Sequence, residues 1–175
     1  MIPLKQIQGL TISSSAPATP QIGDRWLELG AGGAPLHDWE WTWYGSEWRS
    51  PLKDWTVSFV ITTAQNYYLL VNPSYGYLLR SWDVEARFQA VQTTSLYWEF
   101  VVRRHQNGSS PVVASPLNTI GGDATNWLEL SSGAVDISLP LPTGTTKTLG
   151  LQVNRVGTSN QLGGAFTLNY QLVRL

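Results

Sequence analysis

Trp82-Asp83-Val84-Glu85-Ala86-Arg87-Phe88-Gln89-Ala90 alternates apolar and polar side chains without a break. Side chains of an extended chain point to opposite faces in turn, so this pattern is a strand with one buried face. Trp82, Val84, Ala86, Phe88 and Ala90 form the inner set, and Asp83, Glu85, Arg87 and Gln89 the outer one. The same period returns downstream. Leu96, Trp98, Phe100 and Val102 stand opposite Tyr97, Glu99 and Arg103. Leu149, Leu151 and Val153 alternate with Gln152 and Asn154, and Phe166, Leu168, Tyr170 and Leu172 with Thr167, Asn169 and Gln171. Helical periodicity is almost absent.

Turn residues punctuate these runs. Asn107-Gly108 is the favoured pair for a tight hairpin, because both residues tolerate positive φ. It predicts a return strand at Pro111-Val112-Val113. The polar, glycine-containing stretch 157–164 predicts a loop joining the last two alternating runs into a hairpin. Residues 55–62, 67–71, 75–79, 127–130 and 135–139 are further strand candidates. Roughly eight strands between 55 and 175 predict an all-β fold, a two-sheet antiparallel sandwich of jelly-roll type or a near relative. A composition change at Ser50-Pro51 divides the chain into 1–50 and the sandwich, 51–175. The first part holds a short strand within 4–13, a stiff Ser/Pro linker over 13–20, and a Trp-rich β unit over 21–50. About thirty residues bury too little surface to fold alone, so this unit must pack on the sandwich, on its own copies or on a partner.

The 175 residues suit one domain with a short accessory module. There are no cysteines, which excludes disulfides and Cys-based metal sites. Net charge is −1, and charged residues make up 13%, about half the usual share. Only Arg103 and Arg104 are adjacent basic residues, so the basic stripe of a nucleic-acid groove is missing. No apolar run approaches the ~18 residues of a membrane span. The start, Met1 to Gln6, lacks the charged and apolar regions of a secretory signal, which predicts a product made in the cytoplasm.

Nine tryptophans occur, five of them between Trp26 and Trp48. In Trp39-Glu40-Trp41-Thr42-Trp43, period two puts three indoles in a row. Such a row serves either of two ends. It offers flat faces to the C–H face of a sugar, or it fills a small core, since each ring buries roughly 150–250 Å². Tyr44 and Trp48 adjoin the row, and Tyr75 and Tyr97 are the other aromatics expected near a ligand.

The segment Ala16-Pro17-Ala18-Thr19-Pro20-Gln21-Ile22-Gly23-Asp24-Arg25-Trp26-Leu27-Glu28 resembles a pattern common in phage and prophage tail-fibre proteins. There a proline-bearing linker leads into Gly-Asp followed closely by Trp. A glycine-rich turn, a second aromatic strand and a last Trp follow, supplied here by residues 30–33, residues 39–44 and Gly45-Ser46-Glu47-Trp48. Gly23 permits a backbone conformation closed to other residues, Asp24 caps the turn, and Trp26 and Trp48 close a miniature core. The resemblance covers residues 16–50 and lacks the long repetitive shaft of a fibre. It implies a virion or prophage-derived particle, a homo-oligomer with a trimer the expected count, and a cell-surface polysaccharide as ligand.

Catalytic patterns are weak beside this. Glu40, Glu47, Asp38, Glu85 and Glu99 sit among aromatics, but no pair has the spacing signature of a glycosidase. His37 and His105 are the only histidines. His37, Asp38 and Asp24 are one conceivable metal set, and Gly121-Gly122-Asp123 a conceivable calcium turn, although a plain β-turn explains each. No nucleophile elbow or phosphate loop is present. No cofactor or metal is implied. The sequence therefore points to a non-enzymatic adhesion module contacting glycan through Trp39, Trp41, Trp43, Tyr44, Trp48, Tyr75 and Tyr97, with Gly23, Asp24 and Trp26 as a structural turn. The alternatives are a purely structural virion protein with every Trp buried, and a polysaccharide-degrading enzyme.

Overall fold

The computed structural model describes residues 9–30, 33, 35–70, 75–105, 112–113, 115–139, 148–158 and 161–174, without the side chains of 35–39, 70, 105 and 148. The described residues form no helix, and the chain is all-β. Strands β1 (Leu10–Ser13), β2 (Arg25–Leu29), β3 (Pro35–Trp43) and β4 (Trp48–Arg49) precede the corner at Ser50-Pro51. After it come β5 (Lys53–Ile61), β6 (Gln65–Leu70), β7 (Gly76–Phe88), β8 (Tyr97–His105) and β9 (Leu117–Asn118). The series ends with β10 (Leu128–Ser131), β11 (Ile137–Leu139), β12 (Thr148–Val156) and β13 (Leu162–Arg174).

From β5 onward the pairing is nested. β5 pairs with β13, β6 with β12, β7 with β10 and β11, and β8 with β9, all antiparallel. Two further ladders, β13 with β7 and β12 with β8, join these pairs into sheets. One sheet reads β5-β13-β7-β10/β11 and the other β6-β12-β8-β9. A folded double ribbon of this connectivity is a jelly roll. The expected fold class therefore holds.

Burial follows the predicted alternation. Trp82, Val84, Ala86, Phe88, Phe166 and Leu168 of one sheet meet Trp98, Phe100, Val102, Leu149, Leu151 and Val153 of the other.

Three local expectations are corrected. The runs 75–79 and 82–90 are one strand, β7, with a bulge that leaves Arg80 without a partner on β13. The extra residue moves the inward set from even positions (Trp82 to Phe88) to odd ones (Tyr77, Leu79). The Arg80 carbonyl accepts instead from the Val135 amide at 2.7 Å. Second, β12 and β13 do not form a hairpin. Each belongs to a different sheet, and the turn at Gly157 (φ 86°) carries the chain across. Third, Gly163 and Gly164 lie inside β13, not in a loop. Gly164 is there because β7 approaches so closely that a Cβ would sit 2.1 Å from the Glu85 carbonyl oxygen. The Asn107-Gly108 turn lies outside the described residues. Of its expected return strand, Val112 bridges to Arg103, and the Val113 amide donates to the Val102 carbonyl at 2.9 Å.

The two glycines give a paired test. Gly164→Ala forces two strands apart and lowers stability by roughly 1–3 kcal/mol or more. Gly163→Ala meets only ordinary contacts, the nearest at 3.9 Å, and stays within about 1 kcal/mol of the parent. Urea unfolding midpoints separate the two.

Candidate functional site

The N-terminal strands extend the larger sheet in the order β1-β2-β3-β4-β13. β1 runs parallel to β2, and the other pairs are antiparallel. A turn over 21–24 opens β2. The Asp24 amide donates to the Gln21 carbonyl (2.9 Å), Gly23 has φ 90°, and the Asp24 carboxylate accepts from the Gln21 amide (2.9 Å). The Gly23 amide and the Asp24 carbonyl each bond to the backbone of Trp43 at 2.9 Å. This fixes the register that sets Trp26 opposite Trp41.

Trp26 and Trp41 stack with ring centroids 6.2 Å apart, Trp48 meets Trp26 edge-on at 5.6 Å, and Tyr75 lies 5.1 Å from Trp41. These four aromatics are buried. Two of their polar edges have defined partners. Trp26 Nε1 donates to the Ser13 carbonyl and Trp41 Nε1 to Glu28 Oε2, both at 3.1 Å. Glu28 is itself buried, and its other oxygen pairs with Arg174, whose guanidinium lies 5.0 Å from the Trp26 ring centroid. One carboxylate thus ties β2, β3 and β13 together.

Burial withdraws Trp41, Trp48 and Tyr75 from the expected set of glycan contacts. They have no free face, because they are buried in the core cluster together with Trp26 and residues of β7 and β13. Trp43 is half-buried against Trp48 at 5.3 Å. Tyr44 is 50% exposed, with the Arg49 guanidinium 4.5 Å from its ring centroid. Tyr97 is half-buried at the start of β8. The side chain of Trp39 lies outside the described residues. These residues do not converge on one surface, since Tyr97 belongs to the smaller sheet.

The acidic candidates are dispersed. Glu40 pairs with Arg25, Glu47 with Arg49 at 2.8 Å, and Glu99 accepts from Asn154 Nδ2 at 3.0 Å. The side chains of His37, Asp38 and His105 lie outside the described residues. Among the described residues no group of three or more His, Cys, Asp or Glu side chains is gathered.

Asp123 is not placed as a calcium ligand. Its Oδ1 accepts from the Thr125 amide and hydroxyl (both 2.7 Å) and the Asn126 amide (2.8 Å), and its Oδ2 from Asn126 Nδ2 (3.0 Å). These donors, the Thr125 hydroxyl first, hold the carboxyl well below the usual carboxylate range. They also fix the loop that carries Trp127. Trp127 is 56% exposed and is the large aromatic that the sequence reading passed over, since it appeared only as the start of a strand.

No family model matches the chain, and no curated protein matches it at a significant level. Among solved structures, the Gx strain of infectious bursal disease virus is similar at 10% identity and a TM-score of 0.38. The match covers 91% of this chain and 44% of that one. The VP2 subviral particle of the same virus is similar at 12% identity and a TM-score of 0.38, covering 91% and 45%. The chain spans less than half the length of those proteins. The jelly-roll assignment follows from the strand pairing alone.

Two outcomes follow from this geometry. Glu28→Ala strands Arg174 and the Trp41 indole N–H. The cost is on the order of 2–4 kcal/mol, below that of a fully enclosed pair because Arg174 is a third exposed; chemical denaturation measures it. Asp123→Ala speeds amide exchange at Thr125 and Asn126 while Trp98 exchange is unchanged. Lowering pH does the same to the parent protein. A depressed carboxyl contributes above its ordinary value of about 3.9 and loses that contribution as pH falls further, so the loop is unaltered between pH 7 and pH 5.

Proposed function

We propose that this chain is a non-catalytic structural component of a phage- or prophage-derived particle, assembled as a homo-oligomer. The observation that carries the reading is the burial of Trp26, Trp41 and Trp48. In the aromatic-rich segment, which resembles a tail-fibre module over 16–50, these three indoles brace a jelly roll, which supports a structural role. Its dispersed carboxylates support a role without catalysis.

Assembly is supported by the free edge of the larger sheet. β1 pairs with β2 on one side only among the described residues, and Ile12 on it is 59% exposed. An exposed edge strand bearing a large apolar residue is a template for pairing with another chain. Copies joined through this edge form the oligomer, and three, the number the tail-fibre resemblance implies, requires the edge to meet a different surface of the next copy.

Light scattering tests this directly. The purified protein is expected at a multiple of its 19.4 kDa mass, a trimer first. Ile12→Lys is expected to shift it to monomer with an unchanged circular-dichroism spectrum. Trp41→Ala is expected to lose about 3–5 kcal/mol of stability, as a core residue does. A parent protein that stays monomeric at high concentration, or a Trp41→Ala variant as stable as the parent, overturns the reading.

A further inference from the structure

β10 ends with Ser131 opposite Asp83, and β11 begins with Ile137 opposite Leu79. Residues 132–136 therefore pass the shorter span 80–82 of β7, and the chain there leaves the ladder. The detour is pinned at two points. The Trp82 carbonyl accepts from the Ser132 amide at 2.9 Å, and the Arg80 carbonyl from the Val135 amide at 2.7 Å. Between the detour and the chain leading into β9 lies a pocket of about 380 Å³, at the seam of the two sheets. Trp82, Pro116, Leu117, Val135 and Ile137 line it with apolar surface, and Ser115, Ser131 and Ser132 with hydroxyls.

Trp82 is the informative residue. It is 2% exposed, and its Nε1 is buried with no hydrogen-bond partner among the described residues. Its backbone is engaged, since the Ser132 hydroxyl also accepts from the Trp82 amide at 2.9 Å. A buried donor left unpaired is costly, and a phenylalanine would place an apolar ring here without that cost. Trp98 Nε1 is also without a partner, but Trp98 does not line the pocket. Water does not reach Trp82 Nε1, so its partner has to enter with an occupant that parts the lining. The detour is the part that can yield, because Gly133 and Ala134 on it are exposed and outside any strand.

We propose that this pocket binds a neutral, mainly apolar small molecule bearing a carbonyl oxygen, which accepts the Trp82 indole N–H. The lining selects that chemistry. Its described residues carry no charge, so an ion entering it would be desolvated without a counter-charge. A sugar would set a ring of hydroxyls against five apolar side chains. A plain hydrocarbon would leave the indole N–H as it is. Two of the serines are already committed. The Ser132 hydroxyl donates to the Gly133 carbonyl at 2.8 Å, and the Ser131 hydroxyl accepts from the Gly133 amide at 3.1 Å. The volume falls in the range of small-molecule sites, roughly 300–1,000 Å³. Binding here is independent of the oligomer proposed above.

The test uses the intact protein and two probes of similar shape, acetophenone with a carbonyl and ethylbenzene without one, titrated by NMR. Acetophenone is expected to bind at roughly millimolar concentration or tighter. It is expected to move the assigned Trp82 indole proton downfield, and ethylbenzene is not. Trp82→Phe is expected to weaken acetophenone about five- to tenfold, the loss of one hydrogen bond. The same variant is expected to bind ethylbenzene at least as well as the parent, which shows that the pocket persists. Ser115 is exposed, so Ser115→Phe is expected to fill the pocket, exclude both probes and keep the parent's melting temperature. No saturable binding of acetophenone up to its solubility overturns the proposal. So does a Trp82 indole proton that acetophenone leaves in place, a result that decides the matter even where Trp82→Phe fails to fold. Binding that survives Ser115→Phe overturns it too, because the probe would then sit elsewhere.

Discussion

The ladder between β7 and β13 is the constraint on which the other strands rely. It spans twelve register partners from Leu162 opposite Phe88 to Val173 opposite Gly76. β5 and β4 dock successively along the far side of β13, and β10 and β11 along the far side of β7. The bulge at Arg80 and the glycine at 164 are the two adjustments that keep so long a pair in register. One absorbs an extra residue, and the other lets the backbones meet where a side chain would hold them apart. The inner faces of both strands then present a continuous apolar surface to the smaller sheet.

The N-terminal unit attaches to the same ladder. β4 pairs with Val173 and Arg174, and Ser50, buried at the corner, donates its amide to the Leu172 carbonyl at 3.0 Å while its hydroxyl accepts from the Leu172 amide at 2.9 Å. Glu28 on β2 adds a side-chain tie to Arg174 on β13, with β3 and β4 between them in the sheet. A buried carboxylate is expensive to desolvate, and its contribution here is specificity of docking more than net stability. It has partners only when β2, β3 and β13 are all in place. The tryptophans supply the apolar area, and the carboxylate fixes how they are set.

Much of the fold was legible because alternation is local. Trp82 to Phe88 and Leu149 to Val153 declare their buried faces within a few residues, and the structure follows them. Partnership is not local. β5 and β13 are separated by about a hundred residues, so the pattern that marks each strand says nothing of which strand it meets, and β12 and β13 read as a hairpin. The Trp39 to Trp43 row was legible as a row, but period two does not tell whether a face is covered. That depended on Tyr75 and Arg174, far away in the chain. Trp127 had no pattern at all, since a single indole beside a turn does not tell from the sequence that it is left exposed.

The placement of β13 has a consequence for biogenesis. The strand that lies at the centre of the larger sheet is the last of the thirteen to leave the ribosome. Until it emerges, β4, β5 and β7 have no central neighbour, and Trp26, Trp41 and Trp48 have no roof. Productive closure of the larger sheet must therefore wait for β13, as for other topologies dominated by distant contacts. In the interval the nascent chain shows unpaired edges and bare indoles, the kind of surface that chaperones bind and that aggregates when they do not.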